Sequence, residues 1–270
     1  MINNIKVSII MATYNGKKDL IWEAIKSVIN QTYKDFELII INDDSTNDVE
    51  NTILEFQKED NRIIYIKNIK NIKQSNSRNK WINISKWKYI AIIDDDDIWS
   101  DKDKLSKQIK YMDNNPKCWI CWTNMIIVNN NLEEIRKVRY NQSDNELRND
   151  ALRTNPMAHS SVVIRKEIID KVWWYNNIYN LVEDYELILR IWKISNFHNI
   201  DSYSIKYRIN PNSVSRKNKL KQKIKVFELM YKYRKEYPNY LKSMILRIWA
   251  WILPETIAIK FWKYLKPIIK

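Results

Sequence analysis

A single glycine, Gly16, serves the whole of a 270-residue chain. Average usage near 7% predicts about 19. Turns must therefore be made almost without the one residue that takes left-handed backbone at no steric cost. Cysteine is nearly as scarce. Cys118 and Cys121 stand in "PKCWICWTN" without a second pair, and the flanks read as a strand. Positions three apart on a strand face opposite sides, which favours two small core residues in a reducing compartment over a metal or redox use of the CxxC spacing. Long apolar runs are missing too. No stretch reaches the ~18 uncharged apolar residues of a membrane span. The start "MINNIKVSIIMATYN" lacks the layout of a signal peptide. A cytoplasmic location is the expectation.

What is present is globular: 45% hydrophobic and 29% charged residues, values that exclude disorder as the default. The net charge of +14 is unevenly placed. From Lys206 to Lys270 there are 17 Lys and Arg against Glu228, Glu236 and Glu255, while the rest of the chain holds 29 residues of each sign. A neutral body followed by a basic tail predicts a catalytic domain over residues 1–210 and a basic helical extension over 211–270.

The body alternates strand-length apolar runs with amphipathic segments. "KVSIIMA", "FELIIIN", "RIIYIK" and "KYIAIID" read as strands. "DLIWEAIKSVIN" (with Asp19 as N-cap), "DVENTILEFQKE" and "QSNSRNKWINIS" read as helices. Unbroken apolar strands between helices predict an α/β fold with a mostly parallel, Rossmann-like sheet covered on both faces. Ligands of such sheets bind at the carboxyl ends of the strands. Further on, "CWICWTNMIIVNN" and "SSVVIRKE" read as strands, "EDYELILRIWKI" as a helix, and Asn141–Asn155 as a polar connection. From Asn218 onward the pattern is helical.

Two acidic stretches, "NDDSTND" and "KYIAIIDDDDIWS", fall at strand ends. Adjacent carboxylates repel by about 1 kcal/mol each in water, and more where water is thinned, so the run from Asp94 to Asp97 calls for a positive partner. Oxygen donors of this kind suit a hard divalent cation, Mg²⁺ or Mn²⁺, which commonly bridges to substrate phosphates. Asp94 ends the strand, and Asp96, two residues on, shares a side with it if the strand continues. The plain alternative is a solvated loop. Likewise Asp43, Asp44 and Asp48 also suit turn and cap positions. Glu183 and Asp184 also suit the first turn of a helix. His159 opens a strand, where backbone would satisfy it, and His198 reads as structural.

Three stretches in order resemble family 2 glycosyltransferases over roughly residues 5–210: "VSIIMATYNGKKDLIWEAIKSVINQTYKDFELIIINDDSTND", "NIKQSNSRNKWINISKWKYIAIIDDDDIW" and "HSSVVIRKEIIDKVWWYN…LVEDYELILRI". The resemblance implies a GT-A fold and an inverting, metal-dependent transfer from a nucleotide sugar, a UDP-sugar by preference, to a glycan or lipid-linked acceptor in surface polysaccharide assembly. By the same resemblance Asp43 accepts a hydrogen bond from the base. Tyr14 stacks on it, and Ala12 and Thr13 offer backbone groups there. Arg78 lies near the nucleotide. Asp96, with Asp94, holds the cation, while Asp94 and Asp95 face the ribose or the metal's waters. Asp184 is the catalytic base, its proton affinity raised by Glu183, and His159 stands near the diphosphate or acceptor. A sugar-phosphate nucleotidyltransferase would want a glycine-rich basic loop after the first strand, which "ATYNGKKDL" does not supply. A non-catalytic binding protein would lack Asp96 or Asp184, and both are present. A processive polymerase would carry membrane spans and a Q-x-x-R-W element, found nowhere here.

Twelve tryptophans accompany the glycine shortage. At Trp81, Trp87, Trp173 and Trp174 similar enzymes usually read glycine, with Trp122 and Trp192 as further candidates and Trp99 at a position where tryptophan is common. Trp87 falls between a helix and a strand, where left-handed backbone is frequent and a bulky residue is strained. A source that reads UGA codons as glycine accounts for the pairing; the literal alternative makes Trp173 and Trp174 a sugar-stacking platform. The tail, "LKSMILRIWAWILPETIAIKFWKYLKPIIK", suits the interface of an anionic membrane, or else packs back on the body. Nucleic-acid binding has no motif here, and the segment is too apolar for it.

Overall fold

The computed structural model describes residues 6–85, 87–210 and 214–252. Its first half runs β1 (Val7–Thr13), α1 (Lys18–Ile29), β2 (Phe36–Asn42), α2 (Val49–Glu59), β3 (Ile63–Lys67), α3 (Gln74–Ile84) and β4 (Tyr89–Ile92). There follow β5 (Ile98–Trp99), α4 (Lys104–Asn114), β6 (Cys118–Val128), β7 (Glu134–Val138), α5 (Asp144–Asp150), β8 (Val163–Arg165) and α6 (Lys166–Val172). The chain ends its described part with α7 (Glu183–Trp192), β9 (Asn196–Arg208), α8 (Val214–Lys217), α9 (Lys219–Lys232) and α10 (Tyr240–Ile252).

Every residue of β1 is buried, because helices cover both faces of its sheet. Ile10, Ile39 and Ile92 enter one core cluster, while Ile9, Met11 and Ile40 enter the other. α1 turns Ile21, Ala24, Ile25 and Val28 inward, at the spacing that puts them on one helix face. Nine strands form one sheet among the described residues, in the order β3-β2-β1-β4-β8-β6-β9-β5, with β7 on β6. β3, β2, β1 and β4 are mutually parallel, as the alternating pattern predicts. Past β4 the sheet is mixed: β8 runs antiparallel to both β4 and β6, while β9 runs parallel to β6.

Several local expectations are corrected. Lys17, not Asp19, is the N-cap of α1, and Asp19 sits in the first turn instead. The polar connection 141–155 contains α5, begun by Ser143, whose hydroxyl accepts from the Glu146 N–H. The strand over "SSVVIRKE" is only three residues long, with a 3₁₀ turn at His159–Ser161 before it and α6 after it. The junction expected at Trp87 includes Lys86, which lies outside the described residues. Cys118 and Cys121 are buried free thiols, and burial raises the proton affinity of both.

The helices after β9 join the body. Leu229, Met230, Tyr233 and Tyr237 belong to the same core cluster as Trp122 and Trp192. Among the described residues no helix is long and apolar enough to cross a membrane.

Candidate active site

The carboxyl ends of β1, β2 and β4 converge with the first turn of α7. At the end of β4 the chain does not continue as a strand. Asp97 N–H donates back to the Asp94 carbonyl at 3.3 Å, so residues 94–97 form a turn and strand alternation does not decide which carboxylates face together. Asp94, Asp95 and Asp97 each have a side-chain partner of their own. Asp94 forms an ion pair with the buried Arg78 of α3, and its N–H donates to Ser160 Oγ at 2.9 Å. Asp95 Oδ2 accepts from Thr13 Oγ1 at 2.5 Å. Asp97 Oδ1 accepts from the Arg208 N–H at 3.0 Å, and the Arg208 guanidinium reaches the Asp96 carbonyl at 2.9 Å.

Crowding has an electrostatic consequence. Burial, opposed by the Thr13 hydrogen bond, pushes Asp95 up to about 6. Burial and then the charges of Asp95 and Asp94 push Asp96 up to about 7. Burial is the larger cause in both, and the charges of Arg78 and Arg208 only partly offset it.

Gly16 closes the wall opposite. A Cβ there would stand 2.4 Å from Asp95 Oδ2 and 2.7 Å from Thr13 Oγ1, so the β1–α1 loop is pressed on the aspartate turn. The same loop is tied to the next: Asn15 Oδ1 accepts from the Thr46 N–H at 2.8 Å, and Asn47 Nδ2 donates to the Gly16 carbonyl at 2.7 Å. Tyr14 stands exposed between them, while Ala12 and Thr13 are buried.

Asp43, just past β2, is buried. Its Oδ1 accepts from Asn68 Nδ2 at 2.8 Å, Ser77 Oγ at 2.8 Å and the Ile72 N–H at 3.1 Å. Its Oδ2 is buried with no partner. Three donors hold one oxygen and leave the other without a hydrogen bond.

On the far side, Asp184 lies in the first turn of α7 beside Glu183. Burial, then the Glu183 charge, raises Asp184 to about 6, with the Asp94 charge adding in the same sense. Asn155 Nδ2 donates to Asp184 Oδ2 at 2.8 Å. His159 is not satisfied by backbone as its strand-start position suggests; its Nε2 lies 2.8 Å from the Tyr175 hydroxyl. Burial and the Arg78 charge lower it to about 4, which leaves a neutral ring at pH 7. Arg78 faces the same Tyr175 ring at 5.8 Å. His198, by contrast, stacks on Tyr111 with ring centroids 3.9 Å apart and is structural.

The structure thus groups Thr13, Gly16, Arg78 and Asp94–Asp97 at the carboxyl ends of the parallel strands, with His159 beside Arg78 through Tyr175 and Asp43 beside it through Ser77. Glu183 and Asp184 lie within electrostatic reach of Arg78 and Asp94. Sequence reasoning missed Tyr175, Ser160, Asn155 and Arg208. Arg208 arrives from 111 residues away in sequence, and only strand pairing of β9 discloses it. Trp173 and Trp174 do not make a platform. Trp173 is 83% exposed and Trp174 is buried.

Among the described residues no group of three or more His, Cys, Asp or Glu is arranged to hold a metal ion by itself. Magnesium-type ions need only one or two carboxylates when substrate phosphates complete the shell. Asp96 and Asp94, two carboxylates on one turn, fit that requirement.

The architecture is that of the GT-A glycosyltransferases. Staphylococcus aureus TarS 1–349 in complex with UDP superposes with a TM-score of 0.65 at 16% identity, over 83% of this chain and 65% of that one. A mannosyltransferase of Pyrobaculum calidifontis in complex with GDP-Man and Mn²⁺ gives 0.65 at 14% identity, over 97% and 81%. The chain spans about two thirds of TarS 1–349. The family model for glycosyl transferase family 2 matches residues 8–173, and the chain belongs to that family. It is 38% identical over 210 residues to an uncharacterized glycosyltransferase of Methanocaldococcus jannaschii, covering 75% of this chain and 70% of the relative. It is 33% identical over 225 residues to the Escherichia coli UDP-Glc:α-D-GlcNAc-diphosphoundecaprenol β-1,3-glucosyltransferase WfaP, covering 81% and 83%.

Proposed function

We propose that this chain is an inverting, metal-dependent transferase that moves a sugar from a UDP-sugar to a hydroxyl of a lipid-linked glycan in surface polysaccharide assembly. The observation that carries the reading is the set of contacts at the strand ends: Asp94 pairs with the buried Arg78, Arg78 faces the Tyr175 ring at 5.8 Å, and Asp184 lies near enough for the Asp94 charge to add to its proton affinity. The similarity to WfaP, a UDP-Glc:α-D-GlcNAc-diphosphoundecaprenol β-1,3-glucosyltransferase, supports the donor and acceptor class.

Asp43 Oδ2, unpartnered and buried, accepts a hydrogen bond from the base. Tyr14 stacks on it, and the Ala12 and Thr13 backbone borders the ribose. Asp96 and Asp94 would hold a Mn²⁺ or Mg²⁺ ion, with Asp95 turned toward Thr13 and the metal's waters. When bound, the ion supplies charge stabilisation for the departing diphosphate. Arg78 adds a fixed positive charge at the same place. His159 stays neutral and orders Tyr175 at the acceptor edge with Glu183. Asp184 takes the proton of the acceptor hydroxyl, a role its proton affinity near the operating pH suits. The basic extension, residues 211–270, meets the anionic inner face of the membrane that bears the acceptor.

Turnover across a panel of nucleotide sugars with Mn²⁺ tests this reading. Asp96→Ala is expected to abolish metal-dependent donor turnover. Asp184→Ala should retain UDP binding by calorimetry and lose transfer by about 10³-fold or more. Wild-type transfer in Asp184→Ala removes the assigned base.

A further inference from the structure

Residues 214–252 hold eleven Lys and Arg against Glu228 and Glu236, and the two long helices they form are fastened to the body by one side only. Lys232 Nζ and Tyr233 Oη of α9 donate to Glu186 Oε1 at 3.2 and 2.9 Å. The Tyr237 hydroxyl donates to the Leu189 carbonyl at 2.5 Å. In α10, Ser243 is buried, and Arg247 Nε donates to the Leu152 carbonyl at 3.1 Å. The Arg247 guanidinium also lies 5.6 Å from the Tyr185 ring.

At 100° per residue, the side of α10 opposite Ser243 and Arg247 carries Leu241, Ile245, Ile248 and Ile252. These are between 40% and 72% exposed. A fully aliphatic stripe more than two turns long faces away from the described body.

We infer that this α10 stripe is the surface that inserts into the interface of an anionic bilayer, with the cations of α9 resting on the headgroups. Charge complementarity selects that occupant. An aliphatic face among Lys and Arg suits anionic lipid, whereas a second copy would bring an equal positive charge against it. The inference rests on the proposed reading of a membrane-borne acceptor and specifies which face meets the membrane. It also adds a mechanical link. Glu186, the α9 anchor, lies two residues from Asp184 on the same helix, so docking sets the distance of the base from the lipid surface.

Flotation of the full chain with phosphatidylcholine vesicles, with and without added phosphatidylglycerol, tests the inference. The wild type is expected to float with the anionic vesicles and to dissociate at high salt. The combined variant Leu241→Ser, Ile245→Ser, Ile248→Ser, Ile252→Ser is expected to lose about tenfold or more of the bound fraction. Ile135→Ser, an exposed control on β7, should leave it unchanged. Equal flotation of the stripe variant and the wild type overturns the surface, as does a dimer by light scattering that the stripe variant abolishes. UDP-sugar turnover without vesicles, measured on the same preparations, separates the two readings. Normal turnover with no flotation removes the docking surface alone, and flotation without turnover removes the transferase reading alone.

Discussion

Trp173 sits at φ 64°, ψ 158°, immediately after α6, a region of backbone space that is essentially reserved for glycine. One guanidinium holds it there: Arg190 donates to the carbonyls of Val172, Trp173 and Trp174. The strain is of order 1–3 kcal/mol, and the ring earns nothing back because it projects into solvent. Trp81 and Trp122 show a second sign of misfit, as both indole N–H groups are buried without a partner. Trp192 differs; it stacks on Phe197 at 4.7 Å and donates to Asp144 Oδ1 at 2.7 Å. Trp173→Gly is therefore expected to raise Tm by about 2–5 °C, measured by scanning calorimetry. Trp192→Gly is expected to lower it by more. We propose that a source reading UGA as glycine carries glycine at 81, 87, 173 and 174. Intact mass of the native protein decides this; a mass matching twelve tryptophans removes the proposal. Trp173 was legible as a glycine site because similar enzymes usually read glycine there. Lys73, at φ 71°, carried no such signal in its own identity.

At the scale of elements, the β1–α1 loop and the β4 turn behave as one unit, since no side chain fits between Gly16 and Asp95. Gly16→Ala is expected to push the aspartate turn away and weaken UDP binding by about 10- to 100-fold, with a much smaller effect on Tm. Titration calorimetry with UDP and Mn²⁺ reads the first, and thermal melting the second. The parallel strands could be read directly because β1, β2 and β4 are almost wholly buried apolar runs, and β3, though half-exposed, keeps the same Ile-rich composition. β9 could not. Its sequence, NFHNIDSYSIKYR, is polar at alternate and irregular positions, and its pairing with β6 contains register shifts. α5 was hidden by its composition, DNELRND, which buries only Leu147. For the site, the acids and Arg78 were legible as motif positions. Tyr175, Ser160 and Arg208 were not, because each acts through a contact far away in sequence.

For the whole molecule, the site trades stability for function. Asp184 is raised to about 6 in the folded protein, against about 3.9 when unfolded. Between those values the folded state binds more protons than the unfolded one, so stability falls as pH rises through that window. Activity runs the other way, because the base must be unprotonated. Transfer is expected to rise with pH up to about 6 and level off above it. Asp184→Asn should raise Tm by a few degrees at pH 7.5, by only about a third as much at pH 4.5, and remove transfer. A Tm gain of equal size at both values would count against the buried-carboxylate account.

Arg208 carries one more consequence, for birth on the ribosome. Its backbone N–H and guanidinium hold the Asp96–Asp97 bend, and β9, which ends with it, fills the sheet between β6 and β5. A nascent chain that has not yet released residue 208 exposes the flank of β6 and leaves four neighbouring acids without their last restraint. Such late, long-range closure is slow and invites association of half-made chains. Truncations just short of residue 208 should therefore emerge from translation as aggregates, whereas those ending beyond Tyr237 should remain dispersed.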